Sequence, residues 1–92
     1  MMELKWTSKA LSDVVRLHEC LAQADASAAA GVVQALVSAP KHLLNTPRLG
    51  EKLIEFIPRE VRRILVGRYE MRYEIQQSTI YILRVWHTRE KR

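Results

Sequence analysis

A single cysteine, three glycines, three prolines and three scattered histidines leave this 92-residue chain with few of the residues that usually carry chemistry. The lone Cys20 excludes an intrachain disulfide and a cysteine-based metal cluster, so a reducing compartment suits the chain. It falls in a helical pattern and reads as a small buried apolar residue. His18, His42 and His87 have no zinc-ligand spacing, and His18, on an apolar helical stripe, reads as a packed core histidine. The glycines stand alone at 31, 50 and 67, so no loop can cradle a phosphate, and no nucleophile elbow is present. Charges are spread through the first twenty residues, with no apolar run of signal-peptide or membrane-span length. The expectation is a cytoplasmic protein with no membrane partner. A chain this short buries only about 60–65% of the surface its unfolded form exposes, and a deep cofactor pocket would consume much of its stability. No cofactor and no metal are expected, and macromolecular partners become the natural starting point.

What is present is an apolar content of 48%, far above that of disordered chains, in a length that accommodates one domain, residues 1–92. The charge is distributed unevenly. Residues 1–56 carry six cations and six anions, whereas residues 57–92 carry nine cations against four anions and so hold the whole net charge of +5. Eight of those nine cations are arginines, whose planar donor forks suit phosphates and carboxylates. The basic third therefore suggests nucleic acid, an acidic protein surface, or both. A solvated face that aids solubility explains the same bias.

The order of elements follows from periodicity. Glu3-Leu4-Lys5-Trp6 alternates as a short edge strand with Leu4 and Trp6 facing a core. Thr7 or Ser8 caps a helix whose stripe is Leu11, Val14, Val15, His18, Leu21 and Ala22, ending near residue 23. After a short turn Ser27 caps a second helix with Ala29, Val32, Val33, Leu36 and Val37 on one face. So short a link folds the two back as a hairpin, with Ala28, Ala29, Ala30 and Gly31 allowing close packing. Pro40 ends the pattern near Ala39, and residues 45–50 carry the turn residues of an ordered loop. Strands are expected over 52–56, 61–66, 69–75 and 79–87, the last three joined by the short turns at Gly67-Arg68 and Gln76-Gln77-Ser78. In the strand from Tyr69, the residues Tyr69, Met71, Tyr73 and Ile75 face one way and Glu70, Arg72 and Glu74 the other. In the last strand Tyr81, Leu83 and Val85 fall on one face and Ile80, Ile82 and Trp86 on the other. The fold class is α+β: an N-terminal strand, then an α-helical hairpin packed on an antiparallel β-sheet.

One constellation passes the chemical filter. His87 ends the last strand, with Arg84 before it and Arg89 after it, and a meander brings Arg62 and Arg63 close; Glu51 or Glu55 supplies a carboxylate. Cleavage of RNA through its own 2′-hydroxyl needs a base, an acid and cations on the phosphate, and no metal. The alternative reading of His87 is a surface or capping residue at a strand end.

Four stretches, taken together, resemble the RelE/ParE superfamily of toxins from bacterial type II toxin–antitoxin modules, also described as plasmid stabilisation proteins. They are Leu4-Lys5-Trp6-Thr7-Ser8-Lys9-Ala10 with Asp13; Thr46-Pro47-Arg48-Leu49-Gly50; residues 59–73, from Arg59-Glu60-Val61-Arg62-Arg63 to Arg68-Tyr69-Glu70-Met71-Arg72-Tyr73; and Ile82-Leu83-Arg84-Val85-Trp86-His87-Thr88-Arg89. The resemblance spans essentially the whole chain and implies a cognate antitoxin that wraps the toxin and neutralises it. Two activities live on this fold. RelE-like members cleave mRNA at the ribosome with cationic residues on the middle strands, where this chain has Leu65 and Val66. A YoeB-like set of glutamate, arginine, histidine and terminal tyrosine is matched by Glu51, Arg63 and His87, but Thr88 stands in the tyrosine's place. ParE-like members lack the ribonuclease set and poison DNA gyrase. The Val66-Gly67-Arg68-Tyr69 turn, the Tyr73 strand and the Leu83-Arg84-Val85-Trp86-His87 ending look more like ParE.

The favoured expectation is thus a gyrase inhibitor that blocks replication, with no catalytic residue and with Arg62, Arg63, Arg84, His87, Arg89, Lys91 and Arg92 meeting antitoxin or target. The alternatives are a ribosome-dependent mRNA endonuclease using His87, Arg63 and Glu51, and a degenerate toxin-fold protein that keeps only antitoxin binding.

Overall fold

The apolar spacing resolves into two helices laid on one side of a sheet. The computed structural model describes residues 1–90. Strand β1 (Glu3–Trp6) leads into α1 (Ser8–Ala22) and α2 (Ala26–Ser38), followed by a 3-10 turn over Ala39–Leu44. Strand β2 (Glu51–Lys52), a second 3-10 turn (Ile54–Phe56), β3 (Glu60–Val66), β4 (Tyr69–Gln76) and β5 (Thr79–His87) complete the order. The five strands lie as β1-β5-β4-β3-β2. The meander from β2 to β5 is antiparallel, as the short turns demand. β1 adds a parallel pairing to that antiparallel meander. It pairs parallel to β5, Leu4 opposite Ile80 and Trp6 opposite Ile82: the helical hairpin carries the chain from β1 to β2 at the opposite edge, and the meander then returns across the sheet to β5. No helix among the described residues is long and apolar enough to cross a membrane.

The helix ends follow capping chemistry. Thr7 accepts from the Ala10 amide, and Asp25, not Ser27, caps α2 by accepting from Ala28. Pro40, near the start of the turn that follows α2, lacks the amide a longer α-helix would need. The face that α1 buries is rotated from the expected stripe. Ala10, Asp13, Val14 and Leu17 are buried, whereas Leu11 and Val15 are about half exposed, and His18 and Cys20 are on the surface. The stripe that counts apolar residues alone passes over Asp13, and that misplaces the face by part of a turn. In the second helix Ala29 and Leu36 are buried, but Ala28, Ala30 and Gly31 are exposed, so the close approach rests on Ala29 alone.

The core joins Ala10, Val14, Leu17, Leu36 and Leu43 to Met71, Tyr73, Ile75, Ile80, Ile82 and Val85 of the sheet. Two expectations for the strands are corrected. Of the run 52–56 only Lys52 is in a strand, the two-residue β2 beginning at Glu51, since Leu53 turns the chain into the 3-10 turn and bonds to the Val61 carbonyl. The simple alternation of the last strand also fails. Arg72 pairs with Arg84 and Tyr73 with Ile82, so Leu83 is an extra residue, a bulge that shifts the phase of β5 by one. Ile80, Ile82 and Val85 therefore share the helix-covered face, and Arg84 and Trp86 face away.

The loop before β2 is fastened to the core by one side chain. The Tyr73 hydroxyl donates to the Pro47 carbonyl at 2.8 Å and accepts from the Gly50 amide at 3.0 Å. A Cβ at Gly50 would lie 2.5 Å from the Arg63 carbonyl oxygen and 2.8 Å from that hydroxyl, so only glycine fits. At Gly31, in the exposed interior of α2, a Cβ meets nothing within 4 Å. Gly50→Ala should cost roughly 1–3 kcal/mol through overpacking, whereas Gly31→Ala should gain about 0.5–1 kcal/mol of helix stability. Urea titrations of the two variants test this pair, and equal effects would contradict the packing described.

Candidate functional site

The region that organises the molecule lies where β1 leaves the sheet. Beyond Ile82 the outer edge of β5 loses its strand neighbour, and its amides and carbonyls need other partners. The start of α1 supplies them. The Thr7 amide and hydroxyl both donate to the Ile82 carbonyl, the hydroxyl at 2.8 Å. The Asp13 carboxylate accepts from the Val85 amide at 2.9 Å and from Arg84 Nε and Nη2 at 2.8 and 3.1 Å. Arg16 bonds Asp13, the Val85 carbonyl and Glu90. Burial pushes the Asp13 carboxyl up, but the bonds from Arg84, Val85 and Arg16 outweigh it and hold the group below the usual carboxylate range. One side chain of α1 thus substitutes for a strand and fixes Arg84.

The sheet face away from the helices is polar, and it is largely paired. Arg63 reaches Glu51 at 2.7 Å and the buried Glu70 at 3.3 Å, and Arg72 also approaches Glu70. The Arg72 guanidinium lies 5.3 Å from the Phe56 ring centroid and 4.7 Å from that of Trp86. Arg59 holds Glu74 through Nε and Nη2, and Arg48 and Arg62 share Glu60. The Arg59 hydrogen bond, against burial, keeps Glu74 below its ordinary range. Burial raises Glu60, and its bonds to Arg48 and Arg62 bring it lower overall. Far from being free, most of the arginines of the basic third anchor carboxylates of the same chain. Arg68 and Arg89 show no ion pair among the described residues.

The residues singled out from sequence divide between two faces. Glu51 and Arg63 meet, on the outer side of β2 and β3. His87 is opposite Tyr69 on the helix-covered side, with its ring edge-on to Tyr69 at 5.2 Å between centroids. Its Nδ1 accepts from the Arg89 amide, and its own amide donates to Glu90. The bulge at Leu83 is the cause: it turns Trp86 towards the Arg63 side and His87 away from it. Arg62 is tied to Glu60 and to the Gly50 carbonyl at 2.8 Å. Arg84 is committed to Asp13, and Arg89 is exposed. Lys91 and Arg92 lie outside the described residues. Counting apolar positions missed Asp13, Glu70 and Arg72. Asp13 was the one with a signal, a carboxylate in phase with Ala10 and Leu17.

His87 also borders a cleft of about 540 Å³ between α2 and the β3–β4 turn, with Leu21, Val32, Leu36 and Val66 as its apolar wall and Arg68 at its rim. Among the described residues no group of histidines, cysteines and carboxylates is placed to hold a metal ion.

A helical hairpin on one side of a strand meander, with a charge-paired opposite face, is the architecture of a small type II toxin. A solved structure described as the chromosomal ParDE toxin–antitoxin system from P. aeruginosa contains a chain that superimposes with a TM-score of 0.80 at 26% identity, covering 95% of this chain and 96% of that one. A search of the curated proteins gives no match. The family model for the ParE toxin of the type II toxin–antitoxin system parDE matches residues 4–92, and the chain belongs to that family.

Asp13, Glu60 and Glu74 titrate lower in the folded chain than their ordinary values, so between their folded values and about pH 4 the unfolded state binds more protons. Their stabilisation is complete above that range and should be lost as pH falls through the folded values. Asp13→Ala should cost roughly 2–3 kcal/mol near neutral pH and reduce the loss on acidification. Urea titrations at about pH 7 and about pH 3 check both statements.

Proposed function

We propose that this ParE-family toxin acts by binding DNA gyrase and blocking replication, and that an acidic segment of a cognate antitoxin holds it inactive in the cytoplasm. The observation that carries the reading is the separation of His87 from the Glu51–Arg63 pair by the thickness of the sheet. A general base and the cations that stabilise a phosphorane must converge on one phosphate within hydrogen-bond reach. Groups on opposite faces of a sheet cannot share one. The match over residues 4–92 to the ParE family favours the same conclusion. Docking onto a large enzyme needs a shaped, charged exterior and no internal pocket.

The antitoxin contact is assigned to the basic end of the chain, with Arg89 and Arg68 as exposed, unpaired cations among the described residues and with Lys91 and Arg92 beyond them. Arg62, Arg63, Arg84 and His87 complete the set proposed to meet antitoxin or target, the three arginines being held by Glu60, Glu51 and Asp13. Attraction between an acidic segment and exposed arginines is screened by salt, and it affects association more than final affinity.

Purified toxin should inhibit gyrase supercoiling with accumulation of cleaved DNA, and should leave mRNA intact in a translating extract. His87→Ala should retain that inhibition, whereas an enzyme relying on His87 as acid or base would lose about 10²–10⁴ in rate. Codon-dependent cleavage with gyrase unaffected would replace this reading with mRNA cleavage; inactivity in both assays would leave antitoxin binding alone. Arg89→Glu should slow association with the antitoxin, most clearly at low salt, by surface plasmon resonance.

A further inference from the structure

The outer side of β5 carries a second feature that gyrase binding does not require. Where β1 gives way to α1, a surface cleft of about 560 Å³ is lined by Lys9, Arg59, Arg72 and Arg84, together with Ser8 and Phe56. Four cations from four separate elements meet there, and no carboxylate is among the lining residues. The neutralising carboxylates are attached to the arginines in a way that leaves donors unused. Asp13 takes Nε and Nη2 of Arg84, and Glu74 takes Nε and Nη2 of Arg59. Each pairing engages one edge of a five-donor fork and holds the plane in place. Arg72 is held by Phe56 and Trp86 and by Glu70, which takes its Nη2. Lys9 is exposed, with no ion pair among the described residues. It sits in the first turn of α1, where the amides of Ser8 and Lys9 precede the first capped one, Ala10.

We propose that this cleft is a phosphate-binding site, accepting one phosphate group of a nucleic-acid backbone or of a small phosphorylated ligand. Donors approach from α1, from the turn at Arg59, from β4 and from β5, a spread that suits the tetrahedral set of oxygens on phosphate. A carboxylate, planar and singly charged, would satisfy one fork and leave the others facing each other across the cleft. The buttressing by Asp13 and Glu74 places the guanidinium groups before any ligand arrives, which lowers the ordering cost of binding. The site is independent of the gyrase reading and stands or falls separately from it.

The test uses the full chain with three probes: inorganic phosphate, a fluorescent single-stranded oligothymidylate of about eight nucleotides, and an oligoglutamate peptide of similar charge. Phosphate and oligothymidylate should perturb the amide resonances of Ser8 and Lys9 and the Nε resonances of Arg59, Arg72 and Arg84, and they should compete with one another. Tighter binding of the oligonucleotide, weakening with salt, identifies a nucleic-acid backbone as the source; equal binding identifies a small phosphorylated ligand. Lys9→Glu should weaken binding of either probe about tenfold, the worth of one charge-assisted contact. Lys52→Glu, an equal change of charge on exposed β2, should have less than about a twofold effect. Because Lys9 is exposed and unpaired, the first variant should keep the parent's urea midpoint. Equal losses in the two variants would reduce the effect to general attraction and overturn the site. So would the absence of saturable binding, or tighter binding of oligoglutamate at the same resonances.

Discussion

The fold depends on one carboxylate placed where a strand runs out. A sheet edge with no neighbour must either meet water or be closed by something else, and beyond Ile82 it is α1 that packs against the edge of β5. Asp13 closes that edge by accepting the Val85 amide, and the same two oxygens take the Arg84 fork. A buried charge would be costly alone; here three donors surround it and offset the loss of hydration. The result joins the first helix to the last strand, elements some seventy residues apart in sequence, at a polar contact whose geometry tolerates little sliding. The apolar core supplies most of the favourable free energy, but burial by itself is non-directional. Asp13 supplies the direction. The rotation of the buried stripe, with Leu11 and Val15 left half exposed, is the visible consequence.

Two chemically distinct sides follow from that arrangement. The helices cover one face of the sheet and bury its Met, Tyr and Ile residues, while the other face is built from alternating acids and arginines braced by Phe56 and Trp86. A basic composition would ordinarily suggest a surface of mobile cations. In this toxin much of the positive charge is spent on holding Glu51, Glu60, Glu70 and Glu74, so the arginines stand at fixed positions and orientations. Fixed cations recognise shape as well as charge. The same pairing limits how far net charge predicts where partners land: among the described residues the arginines without an ion pair are Arg68 in the β3–β4 turn and Arg89 past the last strand.

Much of the architecture was legible in the sequence. The helix hairpin, its Thr7 cap, its end at Pro40 and the last three strands follow from periodicity and turn residues, because those signals are local. The parallel pairing of β1 with β5 was not legible, since nothing within Glu3–Trp6 states which distant strand it will join. The exposure of His18 and Cys20 was misread for a single reason, the assumption that a buried stripe contains only apolar residues. The short extent of β2 reflects the Leu53 amide bonding to the Val61 carbonyl as the chain enters the 3-10 turn, a tertiary effect invisible to local alternation. For the site, the sequence offered the right residue types but no means to assign them to faces. Glu51 and Arg63 do meet, and His87 does not join them.

That assignment rests on the bulge at Leu83. A strand displays alternate residues on alternate faces, so every side chain beyond an inserted residue changes sides. Trp86 braces an arginine and His87 lies beside Tyr69 because of one extra residue three positions earlier, not because of any preference of their own. Among chains that share this fold, the presence or absence of that residue would exchange an indole for an imidazole on the arginine-bearing face while leaving composition, and nearly all of the core, unchanged. Within such a family, counting residues along the last strand distinguishes one surface chemistry from another where matching residue types does not.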